Sequence, residues 1–325
     1  MLKYIQNGTI HMVWVSGTNP LVSLPNLPVI RNIFTQPELF VICQDIYWTQ
    51  TVAVADVVLP DAQSGENTGC FTNADWTVHI SQEAVDPQGE AKADLDILLD
   101  FARRMAFTDE DGQGLLHWKS PEEVFNAWKL VSAGRPCDYS GISYDKLTGG
   151  SGIQWPCNGQ HPQGKERLFA DGVFFTNIDY CESFGHDLEK GAPDSQACHY
   201  LPSYEMPNAE YPLRLATGRN VYHFHTRTKT GRIALQESCP EPHVRISDKD
   251  AKTFSVSDGE MVIVKSRRGE VELKAAVGKI SQGQVLIPFH SGYWDSKDGR
   301  ARAANELTIA KWPLAKLGAF PPCHV

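Results

Sequence analysis

The chain has 325 residues, of which 42% are hydrophobic and 21% charged, with a formal net charge of −9. The acidic balance excludes a general nucleic-acid binder, which carries a basic excess, and no apolar run reaches the ~18–20 residues that a membrane-spanning helix needs. The length predicts two or three domains, and Met1-Leu2-Lys3-Tyr4 lacks the apolar core of a signal peptide, so a cytoplasmic protein is expected.

Residues 1–106 read as an α/β region. Ile10 to Ser16 is a short apolar strand that runs into the turn-forming Gly17-Thr18-Asn19-Pro20; Leu39 to Cys43 is a second, ending in Gln44-Asp45; Val57-Val58-Leu59 is a third, stopped by Pro60. Continuous apolar runs of this length suit strands covered on both faces of a parallel sheet. A helix is expected over 94–105, with Leu95, Leu98, Leu99 and Ala102 as its apolar stripe. Residues 107–205 form an irregular, loop-rich connection. Within it, Ser120-Pro121-Glu122-Glu123 is a capping box that starts a short helix.

Residues 206–325 turn to β. Leu213–Thr217, His243–Ile246, Glu260–Ser266, Glu270–Val277 and Gln284–Phe289 are strand-like, and Arg268-Gly269 supplies a hairpin turn. So many short strands predict a small barrel.

The strongest chemical signal follows the first of these strands. Between Leu213 and Gln236 stand Arg214, Arg219, Arg227, Lys229 and Arg232 with no acid among them, and Thr226, Thr228 and Thr230 alternate with the cations. Forked guanidinium donors, hydroxyls and glycine amides together make a site for phosphate oxygens. A solvated basic loop has the same composition. Zinc is a further rival, since His223, His225, Cys239 and His243 could supply four ligands, although the neighbouring cations oppose a dication.

A second signal is Gly17-Thr18-Asn19-Pro20 beside Gln44-Asp45, because ligands of open α/β sheets sit beyond the carboxyl ends of the strands. Anion-binding surfaces on two regions imply one long, multiply charged ligand held between them. The eight cysteines are never spaced as Cys-x-x-Cys, which excludes a standard iron–sulfur run and a zinc ribbon on this chain.

These motifs, in order, resemble a family. Val15-Ser16-Gly17-Thr18-Asn19-Pro20, Ala55-Asp56-Val57-Val58-Leu59-Pro60, Gly69-Cys70-Phe71-Thr72-Asn73, Pro87-Gln88-Gly89-Glu90-Ala91, Gly152-Ile153-Gln154-Trp155-Pro156-Cys157, His225-Thr226-x-Thr228-x-Thr230-Gly231-Arg232 and Ala303-Ala304-Asn305-Glu306-Leu307-Thr308 are similar to the molybdopterin oxidoreductases of the dimethyl sulfoxide reductase superfamily. The resemblance implies an α/β plus β protein: an incomplete doubly wound α/β region followed by a small double-psi-type β-barrel. It also implies molybdopterin guanine dinucleotide carrying molybdenum as the cofactor.

By position, Gly17, Thr18, Asn19, Gln44 and Asp45 would hold a guanosine end of that cofactor. Thr217, Gly218, Arg219, His223, His225, Thr226, Arg227 and Thr228 would hold pterin and pyrophosphate atoms, and Asn305 would reach a pterin from the far side of the barrel. The family's iron–sulfur cysteines and molybdenum ligand have no counterpart here. They are expected on a partner chain or on a missing N-terminal half, and no catalytic residue is assigned to this chain. Gly318-Ala319-Phe320-Pro321-Pro322-Cys323 departs from the family's C-terminal pattern. The threonine-rich run is most similar to assimilatory nitrate reductases. A portion of a formate dehydrogenase, a truncated inactive product and a non-catalytic dinucleotide-binding protein are the other readings.

Overall fold

The computed structural model describes residues 1–114, 116–170, 172, 202–292 and 302–310. The departing pattern at 318–323 lies outside the described residues. The chain divides into two compact units, one built on Met1–Pro60 and Tyr200–Pro313, the other on Asp61–His199 and Leu314–Val325.

The first unit begins with α1 (Leu2–Gln6) and β1 (Met12–Ser16), passes through α2 (Pro20–Ser23) and α3 (Leu27–Phe34) to β2 (Phe40–Asp45), and returns to β3 (Val57–Pro60). The three strands are parallel in the order β1-β2-β3, as their apolar runs predict. In the central β2, Val41, Ile42, Cys43 and Gln44 are all buried, because neighbours cover both faces. Helix α3 has no place in the sequence reading. Its signal is nevertheless present, since Leu27, Ile30, Ile33 and Phe34 recur at helical spacing and pack with Val13, Val15 and Val41. Burial, and secondarily the charge of Asp45, push the Cys43 thiol up to about 12, so it is inert packing.

The second unit is organised by an antiparallel sheet of β4 (Gly69–Thr72), β5 (Thr77–Ser81) and β6 (Ile153–Gln154), with α4 (Asp94–Met105), α5 (Pro121–Ser132) and α6 (Tyr144–Leu147). The helix over 94–105 forms as expected, but its stripe is rotated. Ile97, Leu99 and Ala102 are buried, while Leu98 is 46% exposed. The helix start forms with a variant of the capping box: Ser120 Oγ accepts the Glu123 N–H at 3.2 Å, while Glu123 Oε2 reaches one residue further back and accepts the Lys119 N–H at 2.7 Å.

Gly164 is one position in this unit where only glycine serves. Its φ is +78°, and an added methyl would strike the Gln154 carbonyl oxygen and the Ile153 side chain. Gly164→Ala is expected to destabilise the protein by about 1–3 kcal/mol, measured as a lower urea midpoint.

The chain then returns to the first unit with β7 (Arg214–Gly218), α7 (Leu235–Ser238), β8 (His243–Ser247), α8 (Asp248–Thr253), β9 (Met261–Lys265), β10 (Glu270–Gly278) and β11 (Gln284–Pro288). All five expected strands form. They make one mixed sheet in the order β7-β11-β8-β10-β9, with the hairpin at Arg268-Gly269 closing β9 onto β10 in the register Lys265↔Glu270. Along β10, Val271, Leu273 and Ala275 point into a core with Val244, Ile246, Val285 and Ile287.

The five strands form, but they do not close into a barrel among the described residues. Among the described residues the sheet stays open, with β7 and β9 at its edges. Its apolar inner face borders a cavity of about 900 Å³ lined in part by Leu213, Val262, Val264 and Leu307.

Both halves of the first unit meet at residues 303–307. Ala303 belongs to the α/β core, whereas Ala304 and Leu307 belong to the core of the five-stranded sheet. Arg31 on α3 grips Glu306 in a bidentate pair at 2.5 and 2.7 Å. The Ala-Ala-Asn-Glu-Leu-Thr motif is thus the joint of the unit.

Candidate functional site

At the carboxyl end of β1, the chain leaves the sheet through Gly17, whose N–H donates to the Gln44 carbonyl at 2.9 Å. Gly17 has φ +60°, and the space where a Cβ would stand is open. Gly17 and Thr18 are exposed, while Asn19 is only 3% exposed. Asn19 works inward: Nδ2 donates to Gln50 Oε1 at 2.7 Å, and Oδ1 accepts the Thr51 hydroxyl at 2.8 Å. Gln44 also points inward, fully buried, with Oε1 accepting the Trp14 indole N–H at 3.1 Å.

Asp45 stays at the rim. Burial raises its pKa, opposed by the Tyr47 and Ile46 amides and then by the nearby Arg232 and Lys229 charges. These two cations belong to the basic segment after β7. That segment therefore lies beside the strand ends that carry Gly17 and Asp45.

Arg232 makes the junction, with its guanidinium 4.6 Å from the Tyr47 ring centroid and Nη2 donating to the Trp48 carbonyl at 3.1 Å. Arg219 and Lys229 are exposed, as are Thr217 and His225. Arg219 rests over the Phe289 ring, 6.0 Å from its centroid. Gly218 is half-buried, its carbonyl accepting the Phe289 N–H at 3.2 Å, and Thr228 is half-buried too.

The other predicted residues face inward. Arg227, 3% exposed with φ +67°, donates through Nη2 to Gln236 Oε1 at 2.7 Å and the Pro240 carbonyl at 3.1 Å, and through Nη1 to Ser291 Oγ at 3.3 Å. Thr226 is buried. His223 bridges Thr230 Oγ1 at 3.1 Å and the Cys239 carbonyl at 2.7 Å, so both ring nitrogens are engaged by protein. The rival zinc quartet is therefore not assembled. Among the described residues no group of three or more His, Cys, Asp or Glu side chains could hold a metal ion.

Asn305 Nδ2 donates to the Val22 and Ser23 carbonyls at 2.9 and 3.1 Å, and its Oδ1 accepts the Thr308 hydroxyl at 2.9 Å. In this structure it ties the joint to α2. Sequence reasoning missed His290, Ser291 and Gln236, the supports beneath the basic segment. They stand beyond its ends, and nothing in local spacing announces them.

The result is a cradle built from two sequence regions more than 150 residues apart. It has an open glycine turn and a carboxylate on one side, and outward cations and hydroxyls on the other. Such a donor set suits a long anion with a nucleoside end.

Comparison with known proteins gives the class. Residues 1–104 match the family described as molybdopterin oxidoreductase, and residues 213–323 match the Molydopterin dinucleotide binding domain. The chain is 33% identical over 283 residues to the alpha subunit of an F420-dependent formate dehydrogenase of Methanocaldococcus jannaschii, covering 86% of this chain and 38% of that protein. It is 31% identical over 330 residues to a nitrate reductase of Synechocystis, covering 100% of this chain and 44% of that one. Its fold is similar to acetylene hydratase from Pelobacter acetylenicus, with a TM-score of 0.65 and 18% identity over 94% of this chain and 42% of that one.

The chain belongs to the molybdopterin oxidoreductases of the dimethyl sulfoxide reductase superfamily. It spans about two fifths of the length of the curated relatives it matches. The family implies molybdopterin guanine dinucleotide with molybdenum. The open turn at Gly17, with Lys229 and Arg232 near Asp45 and Arg219 exposed on the same basic segment, fits the guanosine and pyrophosphate parts of that group. No helix among the described residues is long and apolar enough to cross a membrane.

Proposed function

We propose that this chain is the cofactor-holding portion of a nitrate reductase-like molybdenum oxidoreductase, active only with a partner chain or N-terminal half that carries the iron–sulfur cluster and the molybdenum ligand. The observation that carries this reading is the cradle itself: Lys229 and Arg232 lie near the rim carboxylate of Asp45, the neighbouring Gln44 carbonyl accepts from the open turn at Gly17, and Arg219 is exposed on the same basic segment. When bound, the cofactor supplies the redox chemistry at its metal. This chain's residues bind and orient it. Gly17 and Thr18 receive the guanosine end, and Thr217, Arg219, His225, Thr228 and Lys229 receive pyrophosphate and pterin oxygens. Asn19, Gln44, Gly218, His223, Thr226, Arg227 and Asn305 hold these groups in place from behind.

The match of residues 213–323 to the dinucleotide-binding domain supports reading the five-stranded sheet as part of a small double-psi-type barrel, and the parallel β1-β2-β3 order supports an incomplete doubly wound region. The two family matches support a division into 1–106, 107–205 and 206–325. A covering partner is supported by apolar side chains exposed along the parallel sheet: Met12 at 50%, Phe40 at 45%, Val57 at 36% and Val58 at 38%. The described cysteines are free thiols, which supports a reducing, cytoplasmic setting. A formate dehydrogenase portion is the second reading, favoured by relatives of that name at 33% and 34% identity.

The purified chain is expected to bind molybdopterin guanine dinucleotide and to leave nitrate unreduced when supplied with reduced viologen dye. Robust nitrate reduction by the isolated chain would overturn the need for a partner. Formate oxidation, once a partner is added, would select the second reading.

A further inference from the structure

His290 follows β11 and is 1% exposed. Two hydrogen bonds settle its protonation. The Asn220 backbone N–H donates to Nε2 at 2.9 Å, so Nε2 is bare. Nδ1 therefore carries the proton and donates to the His225 carbonyl, at 2.5 Å. Both partners belong to the basic segment. The clamp on Asn220 is passed on, because Asn220 Oδ1 accepts the N–H groups of Tyr222 and His223 at 3.1 and 3.0 Å. His225 itself sits at φ +42°, a strained conformation that needs an outside hold. The next residue, Ser291, accepts from Arg227. The continuation of β11 is thus a base plate under the segment from Asn220 to Arg227.

We infer that His290 is the positioning residue of the dinucleotide cradle: its neutral imidazole clamps Asn220 and His225 so that Arg219, His225 and Lys229 face the ligand, and its protonation undoes the clamp. This rests on the dinucleotide-binding reading above. A second proton on Nε2 would face the Asn220 N–H, donor against donor. The charged and titratable groups bearing on the ring are His223, Arg219 and Arg227, all basic. Burial first, and these three groups after the opposing His225 bond, push the imidazole below its ordinary 6.5. A histidine with a lowered folded pKa binds fewer protons than in the unfolded chain. The clamp's contribution is therefore complete above about pH 6.5 and drains away as pH falls through the folded value.

The test uses the full chain and GDP-mannose, a guanosine pyrophosphate diester that does not titrate in the range used. Affinity is measured by calorimetry at pH 7.5 and 5.5, and the amide protection of residues 219–232 by hydrogen exchange. Wild type should bind more weakly at pH 5.5 than at pH 7.5, by up to about tenfold, the ceiling for a single group that titrates no higher than about 6.5. His290→Gln, whose amide both donates and accepts but does not titrate, should bind within about threefold of wild type at pH 7.5 and lose the pH dependence. His290→Ala should lose protection at Asn220 while β1 and β2 stay protected.

An unchanged pH profile in His290→Gln, or intact Asn220 protection in His290→Ala, overturns the proposal. If His290→Ala does not fold, the comparison of His290→Gln with wild type decides. If wild type binds no GDP-mannose at either pH, the dinucleotide reading falls, and Asn220 protection in the variants and at pH 5.5 alone decides the clamp.

Discussion

Arg31→Ala is expected to lower the unfolding free energy by about 3–5 kcal/mol, read as a large fall in the urea midpoint. The reason is the partner left behind. Glu306 has a side chain only 4% exposed, and both its oxygens accept from Arg31, at 2.5 and 2.7 Å. Removing the guanidinium strands a carboxylate at the joint where Ala303 enters one core and Ala304 and Leu307 enter the other. Substituting both partners with apolar residues, Arg31→Met with Glu306→Leu, should recover most of the loss, since no charge is then buried alone. Arg104→Ala is the control. Its pair with Asp100 at 3.2 Å is 76% and 45% exposed, and its removal should cost no more than about 0.5 kcal/mol. Equal effects at the two sites would show that the 303–307 joint carries no special weight.

Arg219→Ala and Lys229→Ala should each weaken dinucleotide binding by about 1.5–3 kcal/mol, or roughly 10- to 150-fold, with little change in thermal midpoint. Both side chains are exposed and project from the segment, so neither supports the fold. Arg227→Ala should behave differently. Its guanidinium is buried among Gln236, Pro240 and Ser291, and its loss takes the donor from Gln236 Oε1 and Ser291 Oγ, leaving the Pro240 carbonyl only the Gln236 amide. A clear drop in thermal midpoint is expected, with weaker binding as a consequence. Calorimetry paired with thermal melts separates the two classes. If Arg227→Ala binds weakly at an unchanged midpoint, Arg227 contacts the ligand. If Arg219→Ala and Lys229→Ala bind normally, the basic segment is a solvated surface.

Much of this was legible in the residues themselves. Alternation along Val271, Leu273 and Ala275 specifies a strand with one buried face. Ser120 with Glu123 specifies a helix start, because the capping bonds are local. Gly17 specifies a turn that only a residue tolerant of positive φ accepts readily, at the place where a ligand would approach. The ordered motifs carried the family. Local rules also have limits: β4 has no clean alternation, and the third strand, β6, pairs with β5 through residues as distant in sequence as Val78 and Ile153, so the antiparallel sheet was not foreseen.

What residue type and spacing alone determined about this protein is its elements, its family and the chemistry of its cradle: cations, hydroxyls and a glycine turn near a carboxylate. What only the tertiary structure decided is which of those groups face outward. Arg219 and Arg227 are the same residue type eight positions apart, yet one is exposed and the other 3% exposed. Their directions are set by partners distant in sequence: Ser291 for Arg227, Val22 for Asn305, His290 for the whole segment. An irregular segment has no period to tell inside from outside. Its side chains take their directions from the hydrogen bonds that the folded neighbours require.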